Sequence, residues 1–315
     1  MDFDIRHVPP DHIDTEDLSF RITTDADKRD LKPSLASAGL IQPPLLIEDG
    51  ERLTIVCGFR RVLACCELAW PAIPARVLPP GTDPIACVRI AIADNAFQRP
   101  LNIVEQACAY ALIRNHAEAP SAWKNIAASA GLPESSTIMD RLLPVAQMPA
   151  AVQTAILDDR LALPIALEID RMERDDAAVL SSFFIRISAS LNVQRELLQL
   201  ITEIAHRDGV AIAQLLGRAE IEALLNDDEI PTPQKVQRLR RQFKQARFPE
   251  LSRMEDAYRR SMKQLQLDPR IQLQPPQFFE GRTYRLTLNV DSRRQLRTLQ
   301  SDLEKLIDHP DLLPE

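Results

Sequence analysis

Two short stretches of the sequence concentrate side chains that bind phosphate groups and metal ions. The first, Gly58-Phe59-Arg60-Arg61, follows a β-prone apolar run and opens a segment with helical spacing. At such a junction backbone N–H groups at the positive end of a helix dipole and two guanidinium groups converge on one place. The arrangement predicts a polyphosphate site, although a solvated arginine pair at a helix start would give the same short motif.

The second stretch, Asp94-Asn95 with Arg99, combines a carboxylate, an amide and a cation. Carboxylate and amide oxygens suit a hard ion such as Mg²⁺ that carries nucleotide phosphates, and Arg99 could hold another phosphate oxygen. The alternative is an ordinary turn, since Asp-Asn is common in turns. Glu105 follows Asn102 by three positions and is interpreted as half of a capping box.

The cysteines offer a third kind of chemistry. Cys57 precedes Gly58 and could be a reactive thiol near cations, but a buried strand cysteine is the more common case. The five cysteines are odd in number and show no Cys-x-x-Cys spacing, so neither a disulfide framework nor a zinc site is predicted. We expect reduced, buried thiols.

Length, composition and charge limit the classes of protein to which the chain can belong. A chain of 315 residues with 45% hydrophobic residues is long enough for two or three globular domains. Without an apolar run of about 18 residues or a signal peptide, a cytoplasmic protein that makes no membrane contact is expected. Residues 233–315 carry 17 basic against 11 acidic side chains, a net +6, and the remainder carries 21 against 34, a net −13. This asymmetry indicates a local basic surface in the C-terminal part.

Residues 1–118 are predicted to form an α+β domain that positions the two stretches. Its first 29 residues are acidic and are expected to contribute little core. The expected elements are a helix over 30–38 with Gly39 as its cap, a hairpin of strands 45–47 and 53–56, a helix over 59–68, strands over 73–78 and 86–92, a loop over 94–100, and a helix from Asn102 to about His116.

Residues 119–228 are predicted to be wholly helical. Helices over 121–130 and 135–143, joined by a tight turn, have the spacing of a helix-turn-helix, although any helical hairpin would resemble it. Pro144 should shorten the second helix. The side chains expected to reach base edges and phosphates are Ser135, Ser136, Thr137 and Arg141.

Residues 229–315 form the predicted third part. Residues 235–247 contain six basic side chains and no acid, which could follow a DNA backbone or form a solvated helix face. A strand over 284–290 and an amphipathic helix over 292–307 come next. Because one strand and one helix cannot bury themselves, we expect this part to pair with a second copy in a homodimer.

Taken together, these residues resemble the ParB family of partition proteins, including its KorB-like and Noc-like members. The resemblance covers residues 18–170, and its motifs keep both their order and their spacing. The matching pieces are Arg21; Gly39-Leu40-Ile41-Gln42-Pro43; Gly58-x-Arg60-Arg61; Asn95-x-x-Gln98-Arg99 with Leu101-Asn102-x-x-Glu105; and the helix-turn-helix with Met148-Pro149, Val152 and Leu161 behind it.

The resemblance implies an α+β N-terminal domain of the ParB and sulfiredoxin type that binds CTP with Mg²⁺. It also implies a central helix-turn-helix domain that reads a centromere-like palindrome in double-stranded DNA, and a C-terminal dimerisation region. CTP would close two N-terminal domains into a clamp that slides on DNA in chromosome or plasmid partition, at the nucleoid. The implied nucleotide-binding residues are Arg21, Gly39, Gln42, Pro43, Gly58, Arg60, Arg61, Asn95 and Arg99, with Asp94 and Asn95 serving the metal.

Departures from the family pattern limit what the resemblance implies. The family usually has Glu where Phe59 stands and where Asp94 stands, and the first of these is associated with hydrolysis. No catalytic residue is therefore assigned, and at most a slow CTPase is expected. The acidic N-terminus lacks the basic tail that stimulates a partner ATPase, which counts against a ParA-type partner.

Two other functions remain open at this point. The N-terminal fold is similar to that of sulfiredoxin-like and free-serine-kinase enzymes, which act on thiols or small substrates, and Cys57 lies one position from where a sulfiredoxin-like thiol would be. The chain could instead be a helix-turn-helix transcription regulator that does not use a nucleotide.

Overall fold

A computed structural model of the chain describes residues 4–24, 31–50, 52–96, 99–116, 120–309 and 312. The chain forms two compact units, Met1–Ser188 and Ala189–Glu315. The division into three domains, 1–118, 119–228 and 229–315, stays a prediction. Residues 30 and 118–119, where a predicted helix and a predicted domain begin, lie outside the described residues.

The first unit opens with a five-stranded sheet of order β1-β5-β3-β4-β2. The predicted hairpin is confirmed as β3 (Leu45–Asp49) and β4 (Arg52–Cys57), and the next predicted strand as β5 (Ile73–Leu78). β3 runs antiparallel to β4 and parallel to β5. β4 lies between β3 and β2 in the sheet and ends at Cys57, directly before Gly58.

The expectation of little core in residues 1–29 is wrong. β1 (Asp4–Val8) pairs antiparallel with β5, and β2 (Ile13–Asp14) pairs parallel with β4. Val8, Ile13 and Ile22 are almost completely buried. Single apolar residues among acidic ones give no periodic signal in the sequence. They become part of the core because β5 and β4 supply edges with which β1 and β2 form hydrogen bonds.

Four helices accompany the sheet: α1 (Lys32–Ala38), α2 (Phe59–Glu67), α3 (Pro84–Ala96) and α4 (Ile103–His116). α1, α2 and α4 confirm the predictions. The predicted strand over 86–92 is wrong, because these residues lie within α3, and the predicted loop over 94–100 begins inside the last turn of the same helix. The buried residues of this segment have helical spacing: Cys87, Val88, Ala91 and Ile92. In the sequence the short apolar run also looked like the alternation of a strand, which concealed the helix.

The rest of the first unit is helical, as predicted. Its helices are α5 (Pro120–Ser129), α6 (Ser136–Leu142), α7 (Ala150–Leu157), α8 (Leu163–Ile169) and α9 (Arg174–Ile187). α5, α6 and α7 all pack against α4. Pro144 lies in a 3₁₀ turn that directly follows α6, which confirms that this helix is short.

The second unit also begins with helices: α10 (Leu191–Asp208), α11 (Ile212–Leu216), α12 (Ala219–Asn226), α13 (Thr232–Arg247) and α14 (Pro249–Leu265). It continues with β6 (Ile271–Gln274), β7 (Arg285–Leu288), α15 (Arg293–Thr298) and α16 (Gln300–Ile307). The predicted basic run lies in α13, which packs against α10, α12 and α14.

The prediction of a lone C-terminal strand is wrong. β6 pairs antiparallel with β7, so that Ile271 faces Leu288, and the single predicted helix over 292–307 is divided at Leu299. Ile271, Leu273, Leu299 and Leu306 form a small buried core that packs against α14. This region buries a core within one chain, so a second copy is not needed to cover an unpaired strand. The flanking Pro275-Pro276 pair concealed β6 at the level of sequence.

None of the described helices is both long enough and apolar enough to cross a membrane.

Candidate functional site

The two stretches predicted to bind phosphate and metal lie on one cleft. The cleft has a volume of about 310 Å³ and is formed where β4 ends and α2 begins, with the end of α3 opposite. Its lining residues are Phe20, Ile22, Thr23, Leu31, Gln42, Val56, Cys57, Gly58, Phe59, Arg60, Arg61, Asp94, Asn95 and Arg99. The cleft combines a basic wall, an acidic wall and an apolar floor, which is a composition suited to an anionic ligand with a flat apolar part.

Gly58 makes the turn from β4 into α2 possible. Its φ is +90°, and a Cβ placed there would lie 2.9 Å from Cβ of Pro44 and 3.0 Å from its Cα. Only glycine combines this backbone conformation with such a close approach. Among the described residues no side chain caps α2, and the N-terminus of this helix, at the positive end of its dipole, faces the cleft.

Replacing Gly58 by alanine is therefore expected to destabilise the N-terminal unit by about 1–3 kcal/mol, since it adds backbone strain to a collision with Pro44. Gly50 is the matched control, because it also has a positive φ, +76°, but no atom lies within 4 Å of the position that a Cβ would take there. Urea unfolding gives the loss of stability in Gly58→Ala and in Gly50→Ala. The difference between the two losses separates the collision with Pro44 from the backbone strain that both variants share. Equal losses in the two variants would contradict the importance of Pro44.

Arg61 and Asp94 join the two walls of the cleft. Nη2 of Arg61 donates to Oδ2 of Asp94 over 2.8 Å, and Nη1 donates to the carbonyl oxygen of Gln42 over 2.9 Å. The two charged side chains are 17% and 20% exposed. Screening by water is reduced at this depth, so the ion pair is stronger than one at the surface. A phosphate that binds Arg61 must compete with Asp94.

Arg99 is held by a second carboxylate. Its Nη1 and Nη2 donate to Oε2 and Oε1 of Glu105 over 2.7 and 2.5 Å, the bidentate geometry that suits a guanidinium group. Glu105 also accepts from the backbone N of Asn102, whose Oδ1 accepts in turn from the N of Glu105. The predicted capping box is confirmed. Glu105 additionally orients Arg99, a role that its spacing from Asn102 did not reveal.

The residues predicted to serve a metal fit a nucleotide-bound Mg²⁺. Asp94 and Asn95 are adjacent at the end of α3, and Nδ2 of Asn95 donates to the carbonyl oxygen of Ala91 over 2.9 Å, which orients its amide oxygen away from the helix. Among the described residues no cluster of three or more His, Cys, Asp or Glu side chains could hold a metal by itself. Mg²⁺ usually takes one or two protein ligands with the remainder from phosphates and water, which suits this pair.

Three of the predicted nucleotide-binding residues lie outside the lining of the cleft. Gly39 ends α1 and Pro43 follows Gln42, and Arg21 lines a separate cavity of about 290 Å³ with Cys108 and residues of α7. Gln98 of the predicted motif lies outside the described residues. The sequence did not predict the apolar floor, which includes Phe20, Ile22 and Leu31, because no local pattern gave a signal for it.

Cys57 and Phe59 line the cleft, but neither supplies a charged or reactive group at neutral pH. Burial, and next the negative charge of Asp94, raise the pKa of the Cys57 thiol to about 11, so that it is protonated at neutral pH. All five cysteines are free. Cys57, Cys65 and Cys87 are buried as predicted, whereas Cys66 and Cys108 are half-buried. Phe59 is 6% exposed and packs into the core beneath the sheet, so no carboxylate occupies this position.

Alkylation should report this pKa directly. We expect Cys57 to react negligibly with iodoacetamide at neutral pH and about tenfold faster for each pH unit up to its pKa of about 11, because only the thiolate attacks. Peptide mass spectrometry of the modified chain measures the rate. Asp94→Asn should speed the reaction at a given pH by removing a nearby negative charge. Modification of Cys57 at pH 7 as fast as that of a free thiol would contradict the structure.

The side chains predicted to contact DNA lie on α6 or at its N-cap. Ser135 caps this helix by accepting from the backbone N of Ile138 over 3.4 Å, and Ser136, Thr137 and Arg141 are exposed. The hydroxyl of buried Tyr110 donates to the carbonyl oxygen of Pro133 over 2.7 Å and so ties the preceding turn to α4. Three exposed polar side chains thus lie on α6, and the turn before this helix is bonded to α4.

Comparison with known proteins assigns the N-terminal domain to a family. Residues 2–96 match the family model described as "ParB N-terminal domain". The predicted resemblance to the ParB family is therefore confirmed for this domain, and the chain consists of a mixed α/β ParB N-terminal domain followed by a largely helical body. The match includes Arg60, Arg61, Asp94 and Asn95 of the cleft.

Two solved structures that resemble the chain are both of the C-terminally truncated chromosome-partitioning protein ParB from Caulobacter crescentus. The one complexed with CTP-gamma-S is 23% identical over 58% of this chain and 99% of that chain, with a TM-score of 0.26. The one complexed to the centromeric parS site is 22% identical over 60% and 96%, with a TM-score of 0.32. A comparison with curated proteins gave no match.

Proposed function

We propose that this protein is a partition protein of the ParB type that binds CTP with Mg²⁺ in the cleft between α2 and α3 and acts on double-stranded DNA. The observation that carries the proposal is the meeting of Arg60, Arg61 and Arg99 with Asp94 and Asn95 in one cleft, from parts of the sequence more than 30 residues apart. The family match of the same domain favours CTP among the nucleotides, and CTP-gamma-S is the ligand of the Caulobacter protein.

Each part of the cleft has a task in this proposal. The amides of α2 with Arg60, Arg61 and Arg99 hold phosphate oxygens, and Asp94 with the amide oxygen of Asn95 holds Mg²⁺. The metal supplies positive charge that lets a triphosphate lie beside the carboxylate of Asp94. The apolar side chains of Phe20, Ile22 and Leu31 exclude water from the base and the sugar.

DNA binding is proposed for the α5–α6 hairpin. Ser136, Thr137 and Arg141 are exposed there, and the Caulobacter protein is complexed to its parS site. Serine and threonine hydroxyls contact base edges or phosphates, and arginine contacts both. The protein would act at the nucleoid as a homodimer whose N-terminal domains close on CTP. Phe59 leaves no carboxylate to orient water at that position, so turnover is at most slow.

Isothermal titration of the full chain with CTP, UTP, ATP and GTP in Mg²⁺ tests the proposal, each with and without a duplex that carries a palindromic site. CTP is expected to bind at least about tenfold more tightly than the other three, a difference of about 1.4 kcal/mol. Absence of any preference for CTP under both conditions would overturn it.

A DNA-binding regulator that does not use a nucleotide is the second candidate. It is favoured by one observation: Arg61 and Arg99 each already bind a carboxylate of the same domain. If chromatin immunoprecipitation found Arg60→Ala at the same DNA sites and levels as wild type, this candidate would replace the first. A thiol-based enzyme is less favoured than either candidate, because Cys57 is buried and its burial raises the pKa of the thiol to about 11.

A further inference from the structure

α13 carries a continuous polar face that the proposed function does not use. Its members recur at intervals of three, one, three, one and three residues, which places them along one side of an α-helix. The face consists of Gln234, Gln237, Arg238, Arg241, Gln242 and Gln245. Five of the six side chains are exposed, and Gln242 is partly exposed. We refer to it as the glutamine–arginine face.

The other cations of α13 are engaged within the second unit. Arg240 and Lys244 both bind Glu196 of α10, over 2.6 and 2.8 Å, and Arg247 binds Glu203 over 2.6 Å. Nζ of Lys235 donates to the carbonyl oxygen of Leu225 over 3.0 Å. These four side chains fix α13 in place, so most of the predicted basic run serves the fold.

The glutamine–arginine face differs in having no such partners. None of its six side chains makes a hydrogen bond or an ion pair with any residue that the structure describes. Together with Leu224 of α12 they line an open groove of about 850 Å³. The face therefore offers two guanidinium groups and four amides that are all available to a ligand.

We propose that the glutamine–arginine face of α13 is a surface that contacts duplex DNA, separate from the α5–α6 hairpin. Arginine and glutamine are among the side chains that contact DNA phosphates and base edges, and arginine to guanine and glutamine to adenine are bidentate pairs. A helix of 16 residues is about 24 Å long and fits the major groove, which is about 12 Å wide. The inference rests on the proposed function in taking DNA as the partner.

The composition of the groove favours DNA over a protein partner. Six of its seven lining residues are polar, and protein interfaces have an apolar or aromatic centre. Neither Arg238 nor Arg241 is offset by an acid on α13 itself. Asp227, Asp228 and Glu229 precede the helix, so the phosphates are expected near Arg238 and Arg241 rather than at its N-terminus.

A second basic surface would add to the small number of phosphate contacts that the α5–α6 hairpin can make. α6 has seven residues, and Arg141 is the basic side chain among them. Because most of the affinity of a protein for DNA comes from phosphate contacts, a single cation gives weak binding at physiological salt. Arg238 and Arg241 would add two phosphate contacts.

The test is the salt dependence of DNA binding by full-length Arg238→Ala/Arg241→Ala. Fluorescence anisotropy with a labelled duplex of about 30 base pairs, roughly three helical turns, gives the affinity between about 50 and 200 mM NaCl. The slope of log affinity against log salt should become shallower by about 2, and affinity at about 100 mM should fall by about 10- to 100-fold. The thermal unfolding midpoint should not change, because the removed groups make no hydrogen bond or ion pair with a described residue.

Arg293→Ala/Arg294→Ala is the matched control, since it removes the same charge from exposed side chains of the same unit. We expect it to leave the slope unchanged. If Arg238→Ala/Arg241→Ala has the wild-type slope, or changes it no more than the control does, the inference is overturned and an acidic protein becomes the partner to seek. If the wild-type chain binds no duplex at all, the proposed function in DNA falls together with the inference.

Discussion

Arg61→Ala is expected to weaken CTP binding at least ~100-fold, about 3 kcal/mol. The substitution removes a guanidinium group from the phosphate end of the cleft, and it leaves Asp94, 20% exposed, without the cation that lies 2.8 Å away. The loss of attraction between Arg61 and the phosphates and the repulsion between Asp94 and the phosphates both weaken CTP binding. Isothermal titration with CTP in Mg²⁺ measures the effect.

Arg89→Ala is the control for this result. Arg89 lies exposed on α3 and outside the lining of the cleft, so its removal changes the net charge by the same amount without touching the cleft wall. We expect less than about threefold weakening, because exposed charges are largely screened. If Arg61→Ala bound CTP as tightly as Arg89→Ala does, the nucleotide would not lie against α2.

Glu105→Ala should be the most destabilising single change near the site, with a loss of about 3 kcal/mol in the free energy of unfolding. Glu105 is 1% exposed, and its loss leaves Arg99 without a bidentate partner and the N-terminus of α4 without half of its capping box. Urea unfolding followed by tryptophan fluorescence reports on this unit, since Trp70 and Trp123 both belong to it.

Glu67→Ala provides the comparison for Glu105→Ala. Glu67 forms an ion pair with Lys32 over 2.9 Å, but its side chain is 61% exposed, so we expect a loss below about 0.5 kcal/mol. Equal losses in the two variants would mean that the buried pair adds nothing beyond a surface one. Glu105→Gln, which keeps the shape and one acceptor, should lie between them.

Local signals in the sequence predicted much of the site. The β-prone run before Gly58 and the helical spacing after it define the strand-turn-helix, and Asn102 with Glu105 defines the start of α4. Each of these depends on residues at most four positions apart, where backbone preferences and capping act. The residues Arg60, Arg61, Asp94, Asn95 and Arg99, which the sequence predicted for the nucleotide and the metal, all line the cleft.

Contacts between distant residues could not be predicted in this way. Arg61 and Asp94 are 33 positions apart, and their ion pair depends on how α3 packs against β4. β1 and β6 became strands because β5 and β7 supply edges for them. The strand predicted over 86–92 failed for a related reason: a short apolar run fits a buried helix as well as a buried strand, and only packing decides between them.

Hydrogen exchange of the full chain, compared with and without Mg²⁺ and CTP, tests most directly whether the cleft is one nucleotide site. We predict that CTP slows amide exchange in two separate segments at once, residues 58–61 at the start of α2 and residues 94–96 at the end of α3, and that Arg61→Ala abolishes both effects. Protection of neither segment at saturating CTP, or of only one of the two, would contradict a cleft whose two walls bind the same nucleotide.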